Sequence, residues 1–263
     1  MMSLITLENI FFNYNKSQSP DFQLENISLK IAEQEFISIM GPNGSGKSTL
    51  LKILCNLLTP GKGKRFFLGK PYSQYSRKDF AKFAAFVPQS TVSIFPFSVF
   101  EIVMMGRTPH LNFWGYEKSQ DVELVNETLE LLGIFNLRNK GINEVSGGEA
   151  QRAFLARAIV QQPKILFLDE PNAHLDIEHQ ISTFNFLKKL NNDHGTAIVS
   201  VSHDFNLSGY FSDRVILMRK GEIFIDDITP SVLNEENIKD IFNINSSVDY
   251  NSGRIKIDII PGD

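Results

Sequence analysis

One short run constrains this chain more than any other: Gly41-Pro42-Asn43-Gly44-Ser45-Gly46-Lys47-Ser48-Thr49. It fits G-x-x-x-x-G-K-[ST], and its setting matters as much as its letters. Before it stands Phe36-Ile37-Ser38-Ile39-Met40, which reads as a short buried strand. After it come Leu50, Leu51, Leu54 and Leu57, an apolar stripe at helical spacing. A strand, a glycine-rich loop and a helix in that order turn successive backbone N–H groups toward one anion. The glycines let the chain curl, and the helix beginning near Lys47 aims the positive end of its dipole at the same point. In such a loop Lys47 neutralises β- and γ-phosphate charge and Ser48 holds Mg2+.

Phosphoryl transfer is mostly positioning and charge stabilisation, so it also needs a carboxylate for the metal and a group that orients the attacking water. Ile165-Leu166-Phe167-Leu168-Asp169-Glu170 offers both. Asp169, at the end of an apolar strand, reaches the Mg2+ shell, and Glu170 is the candidate general base. Between these segments lies Val145-Ser146-Gly147-Gly148-Glu149-Ala150-Gln151-Arg152, a second helix start with Ser146 at the N-cap position.

The remaining periodicity places these motifs in an α/β chain. Leu4, Thr6 and Ile10-Phe11-Phe12 predict a first strand, and Ile27, Leu29 and Ile31 an antiparallel second. Ile165–Leu168 and Thr196–Val201 read as fully buried parallel strands, separated by a helix that ends at Gly195. From Ser90 to Asn143 the pattern is helical, with Val122, Val125, Leu129 and Leu132 on one face. Arg214–Met218, a Lys220-Gly221 turn and Glu222–Asp226 predict a hairpin, followed by a short helix near Val232 to Phe242. No linker, internal repeat or low-complexity tract divides the chain. The expectation is one domain over residues 1–263: a core from 1–89 and 144–230 that includes an antiparallel β part, a helical insertion at 90–143, and a C-terminal extension at 231–263.

Composition excludes several classes. With 42% hydrophobic and 21% charged residues the chain is globular, and a net charge of -4 gives no overall drive toward nucleic acid. Cys55 is the single cysteine, so no intrachain disulfide forms, and no Cys/His set has zinc-ligand spacing. The N-terminus lacks a basic and apolar leader pattern, and no stretch reaches the roughly 20 apolar residues of a membrane helix, so the chain is expected to be neither exported nor membrane-spanning.

The three motifs, in this order, resemble those of ATP-binding cassette (ABC) proteins, and the resemblance covers nearly all of the chain. It implies an α/β P-loop core with a mixed sheet, an N-terminal antiparallel β subdomain and an inserted helical subdomain, acting as an ATPase on ATP with Mg2+. By the same resemblance Ser146, Gly147 and Gly148 close over the ATP held by a second copy of the chain, arranged head to tail. Tyr14 is similar to the aromatic that stacks on adenine, Gln89 to the glutamine that senses Mg2+ and the attacking water, and His203 to the histidine that contacts the γ-phosphate. Ala173-His174-Leu175-Asp176 matches the loop that crosses the dimer interface. The chain departs from the family pattern at Val145, where leucine is usual, and at Asn172, where threonine is frequent. Glu149 stands where glutamine or glutamate is found. None of these removes a group that contacts phosphate.

The insertion is where a membrane partner docks in the transporter branch of that family. Here Thr91–Leu111 is unusually apolar for a loop, and Phe95, Phe97 and Phe100 share no single helical stripe, so part of the segment is expected to face outward. Met104-Met105-Gly106-Arg107-Thr108-Pro109-His110-Leu111, together with the tail at Ser231–Phe242 and Arg254–Ile260, resembles importer ATPases for iron chelates, haem and cobalamin. Molybdate and tungstate importers share these segments in part. The resemblance implies an energy-coupling ATPase of a prokaryotic importer for iron-siderophore, haem or cobalamin-type chelates. It would lie peripherally on the cytoplasmic side of the inner membrane, with permease subunits docking near 90–111, a solute-binding protein linked indirectly, and no nucleic acid. The alternatives are a molybdate, tungstate or other metal importer, or a soluble ABC ATPase. A single phosphate loop, an insertion without long heptads and an acidic net charge disfavour the soluble class.

Overall fold

The alternating and continuous apolar runs become strands in the computed structural model, which describes residues 3–14, 23–89, 95–111, 118–172, 175–251 and 254–261. In chain order the first half holds β1 (Ser3–Asn13), β2 (Gln23–Ala32), β3 (Phe36–Met40), α1 (Lys47–Leu54), β4 (Lys62–Phe67), β5 (Lys70–Pro71), α2 (Arg77–Ala81) and β6 (Ala84–Val87). Helices α3 (Val99–Met104), α4 (Ser119–Leu131) and α5 (Gly147–Ile159) follow, then β7 (Ile165–Asp169), α6 (Ile177–His194), β8 (Ala197–Val201) and α7 (Phe205–Phe211). The chain closes with β9 (Arg214–Arg219), β10 (Glu222–Ile228), α8 (Thr229–Val232), α9 (Glu235–Phe242), β11 (Asn245–Asn251) and β12 (Arg254–Ile260). Its contacts divide it into two units, Met1–Gln74 with Leu187–Asp263, and Tyr75–Phe186.

In the first unit β1 pairs antiparallel with β2, setting Ile5 opposite Ile31, Leu7 opposite Leu29 and Ile10 opposite Ile27. All six side chains are buried, so the period-2 pattern gives the sheet its inner face. The strand order is β2-β1-β4-β5. A second set runs β10-β9-β3-β8, with β3 parallel to both β8 and β9, and β10 antiparallel to β9. Both β3 and β8 are buried along their whole length, as strands covered on both faces must be. The final strands, β11 and β12, form a hairpin packed on a cluster that includes Val232, Leu233, Ile238, Ile241, Ile255 and Ile257.

In the second unit β6 runs parallel to β7, with Ala84 opposite Ile165 and Val87 opposite Leu168. Around them α3, α4 and α5 bury Val99, Ile102, Val103, Val125, Leu129, Ala153 and Ala156. Helix α3 starts at Ser98, which forms a capping box with Glu101. Beyond α3 a 3-10 turn, Met105–His110, is tied down by Arg107, whose Nε donates to Asp121 Oδ1 at 2.7 Å and whose guanidinium also donates to Val160 O at 2.7 Å. Sequence periodicity anticipates the antiparallel start, β3, β7, β8, the β9–β10 hairpin and α4. It does not anticipate β6, whose Ala-Ala-Phe-Val is too short to show a period, nor β4 and β11.

Candidate functional site

The loop after β3 is shaped by what surrounds it in the first unit. A Cβ on Gly41, at φ 152°, would overlap the Met218 carbonyl oxygen and lie 2.8 Å from Ser45 Oγ, so only glycine lets the loop pass β9. Gly44, at φ 77°, has open space where its Cβ would stand, and there the backbone conformation alone asks for glycine. Ser45 N donates to Pro42 O at 3.2 Å, and Gly221 N, from the β9–β10 turn, donates to Ser45 O at 3.0 Å. The hairpin therefore buttresses the loop. Gly46, left-handed at φ 105°, leads into α1, whose first residue is Lys47.

Lys47 is 6% exposed, and its Nζ donates to Gly41 O and Pro42 O at 2.9 Å each. These contacts hold a cation inside a curl of backbone amides. Ser45 Oγ is buried and, among the described residues, has no hydrogen-bond partner. An orphaned hydroxyl beside a buried ammonium is what a phosphate-binding loop presents. Asn43 and Gly44 are exposed, Ser48 is half-buried, and Thr49 is buried and shares a 3.3 Å hydrogen bond with the Tyr14 hydroxyl. Tyr14 is 55% exposed, and its ring meets Phe12 edge to face at 4.8 Å. His203 is exposed just past the end of β8.

The second unit carries the acids. Asp169 ends β7 and is 5% exposed. Glu170 follows at φ 52°, a conformation that costs a non-glycine residue roughly 1–3 kcal/mol and is found where the surroundings over-determine it. Gln89, two residues beyond β6, donates from Nε2 to Glu170 Oε2 at 2.7 Å. This contact spans 81 positions in sequence, and the parallel pairing of β6 with β7 accounts for it. At the start of α5, Ser146 Oγ accepts from Glu149 N at 3.3 Å, and Glu149 Oε2 accepts from Ser146 N at 2.7 Å. That reciprocal box leaves Ser146 and Gly147 exposed at the helix front, with Gly148 half-buried behind them. The Ser146 backbone N–H, and then its side chain, hold the Glu149 carboxyl below the usual range. Ala173 and His174 lie outside the described residues. Asp176 accepts from the His179 backbone N–H at 2.9 Å at the start of α6.

Each unit offers a hard oxygen of the kind Mg2+ takes, Ser48 in the first and Asp169 in the second, and among the described residues no group of three or more His, Cys, Asp or Glu could hold a metal ion by itself. Mg2+ is commonly bound by one or two protein oxygens with the rest supplied by phosphate and water. Sequence reasoning missed the buttress of Met218 and Gly221 against the loop, because neither residue has a signature of its own.

Residues 24–173 match the ABC transporter family. The chain is 34% identical over 241 residues to the petrobactin import ATP-binding protein FpuC of Bacillus anthracis, covering 92% of this chain and 87% of that one. It is 35% identical over 254 residues to the hemin import ATP-binding protein HmuV of Escherichia coli O157:H7, covering 93% and 94%. Among solved structures it is similar to an inward-facing ABC transporter described as of metal-chelate type, with a TM-score of 0.82, 26% identity and 98% and 97% of the two chains covered. It is also similar to the dimeric post-hydrolysis state of the cassette MJ0796 bound to ADP and Pi, with a TM-score of 0.75, 28% identity, and 86% and 98% covered. The chain belongs to the ABC transporter family. It is an ATPase of that family, with the mixed and antiparallel sheets of its P-loop fold.

Proposed function

We propose that the chain is the energy-coupling ATPase of a prokaryotic importer for metal chelates of the iron-siderophore, haem or cobalamin type. The observation that carries this reading is the extent of the likeness. The metal-chelate-type structure matches 98% of the chain, so the match takes in the insertion and the C-terminal hairpin as well as the ATP-binding motifs. The names of the petrobactin and hemin import proteins support the same solute class.

In this reading the loop from Gly41 to Thr49 binds the ATP phosphates through its backbone N–H groups, with Gly44 and Gly46 giving the curl, Ser45 Oγ adding a donor and Lys47 the counter-charge. Tyr14 stacks on adenine. By the family resemblance Ser48 and Asp169 would hold Mg2+ and Gln89 would sense it, and the ion would supply charge neutralisation at the phosphates. Glu170 accepts the proton of the attacking water as oxygen bonds to the γ-phosphorus and the bond to the ADP oxygen breaks. Gln89 orients the Glu170 carboxylate through its amide, and His203 contacts the γ-phosphate. Ser146, Gly147 and Gly148, presented at the front of α5, act on ATP held by a second copy arranged head to tail. The insertion, placed at 90–143, receives the permease near 90–111, where Phe95 is 63% and Phe97 36% exposed. Residues 90–94 of that segment lie outside the described residues. A solute-binding protein takes part only through the permease, and the chain sits on the cytoplasmic face of the inner membrane. Among the described residues no helix is long and apolar enough to cross a membrane.

The test is reconstitution in proteoliposomes with chelate permeases from the same genome. ATP-driven uptake of a ferric siderophore, haem or cobalamin is expected. Uptake of molybdate alone would overturn the solute class, and ATPase activity indifferent to every permease would overturn the transport role.

A further inference from the structure

The segment that carries His203 is held from its far side by the C-terminal hairpin. Past β8 the chain runs through Ser202, His203 and Asp204 into α7, and this corner is itself well tied. Ser202 Oγ accepts from Asp204 N at 3.1 Å, and Asp204 Oδ1 accepts from Leu207 N at 2.9 Å. Two residues further on, Asn206 clamps β12. Its Nδ2 donates to Ile257 O at 3.1 Å and its Oδ1 accepts from Ile257 N at 2.8 Å. A side-chain amide thus makes the two bonds that a neighbouring strand would make to one residue of a ladder.

Further contacts repeat the attachment along α7. Phe205 meets Phe242 edge to face at 4.9 Å. A Cβ on Gly209 would stand 3.2 Å from Ile255 Cβ, so helix and hairpin pack closely there. Phe205 also packs on the cluster that contains Ile255, Ile257 and Met40, and Met40 is the residue immediately before the phosphate loop. The tail therefore shares one core with the strand end below Gly41 and with the helix that follows His203. His203 is exposed, and the backbone on either side of it carries its Cα. The β11–β12 hairpin is paired along its whole length without Asn206, so the clamp is not needed to make the hairpin. What it fixes is the placement of α7.

We propose that Asn206 is a positioning residue for His203, and that the C-terminal hairpin takes part in ATP turnover by holding α7. The inference rests on the reading of His203 as the γ-phosphate contact. Two hydrogen bonds at one residue resist both sliding and rotation of the helix, and small misplacements of a group that acts in the transition state cost rate more than binding.

The test uses the full chain. Asn206 is exposed, so Asn206→Ala leaves no cavity; loss of its two bonds to Ile257 should lower the melting temperature by only a few degrees, with KM for ATP near wild type, while kcat falls about tenfold. Asn206→Asp, which keeps the acceptor and loses the donor, should fall between the two. In a His203→Ala background, Asn206→Ala should change the remaining rate by less than about twofold, since the group it positions is gone. An equal fold-loss in both backgrounds would overturn the proposal. Independently, the His203 ring resonance, assigned by its loss in His203→Ala, should differ between wild type and Asn206→Ala with a non-hydrolysable ATP analogue bound. Superimposable His203 resonances would also overturn it, even where the double variant is too slow to assay. Wild-type turnover by His203→Ala would instead remove the reading of His203 itself, leaving the resonance to report on the clamp.

Discussion

Replacing Gly41 and Gly44 separately by alanine tests how the phosphate loop is built. Both glycines have positive φ, so each substitution carries a conformational cost of roughly 1–3 kcal/mol. They differ in what the new methyl meets. At Gly44 it enters open space, and the conformational cost is the whole effect. At Gly41 it overlaps the Met218 carbonyl oxygen, stands 3.2 Å from the carbonyl carbon and 2.8 Å from Ser45 Oγ, and the obstacle is β9 backbone that cannot swing aside. Overpacking of this kind adds about 1–3 kcal/mol, which puts Gly41→Ala some 3 kcal/mol or more below wild type. For a chain of this size 1 kcal/mol moves the melting temperature by roughly 2–4 °C. Gly44→Ala should therefore melt roughly 2–12 °C low, and Gly41→Ala roughly a further 2–12 °C lower, since the clash adds its own cost of about 1–3 kcal/mol. Because relief of the clash must push the loop off Met218 and Ser45, Gly41→Ala should also lose measurable affinity for a fluorescent ATP analogue. Equal melting temperatures for the two variants would mean that the β9 buttress does not shape the loop.

Glu170→Gln keeps the shape of the side chain and removes its basicity, so ATP should still bind while phosphate release falls about a hundredfold or more, with an ATP-held dimer seen by size-exclusion chromatography. Wild-type release would remove Glu170 from the chemistry. Phe95, at 63% exposure, should tolerate alanine with almost no change in melting or isolated ATPase rate, yet Phe95→Ala should fail to support uptake with the permease, and intact uptake would argue against docking there. The Glu149 carboxyl lies below its ordinary value in the folded chain, so its stabilisation is fully present above the unfolded value of about 4.3 and is lost as pH falls through the lowered folded one. Glu149→Gln should accordingly show a lower urea midpoint than wild type at pH 7, with the gap closing as the pH drops below about 4.

The motifs themselves were legible in the amino-acid sequence because each is made by neighbours in the chain. The glycines of 41–46 need only their own backbone to curl, the runs of β3 and β7 need only their own apolar side chains to mark buried strands, and the box at Ser146 and Glu149 closes within one helical turn. The alternation of Ile27, Leu29 and Ile31 likewise gave both a strand and its inner face. Tertiary structure decided the rest, because it depends on groups far apart in the chain. That Gln89 reaches Glu170 follows from β6 pairing with β7, and β6 is too short to declare itself. That Gly41 admits no side chain follows from a carbonyl at Met218, a group every residue possesses and no motif can advertise. Asn206 reads as an ordinary polar residue on a short helix until the hairpin brings the Ile257 backbone within its reach. The residue types that do chemistry are set by local spacing, whereas the backbone groups that hold them still carry no sequence label, and only the folded chain shows where they stand.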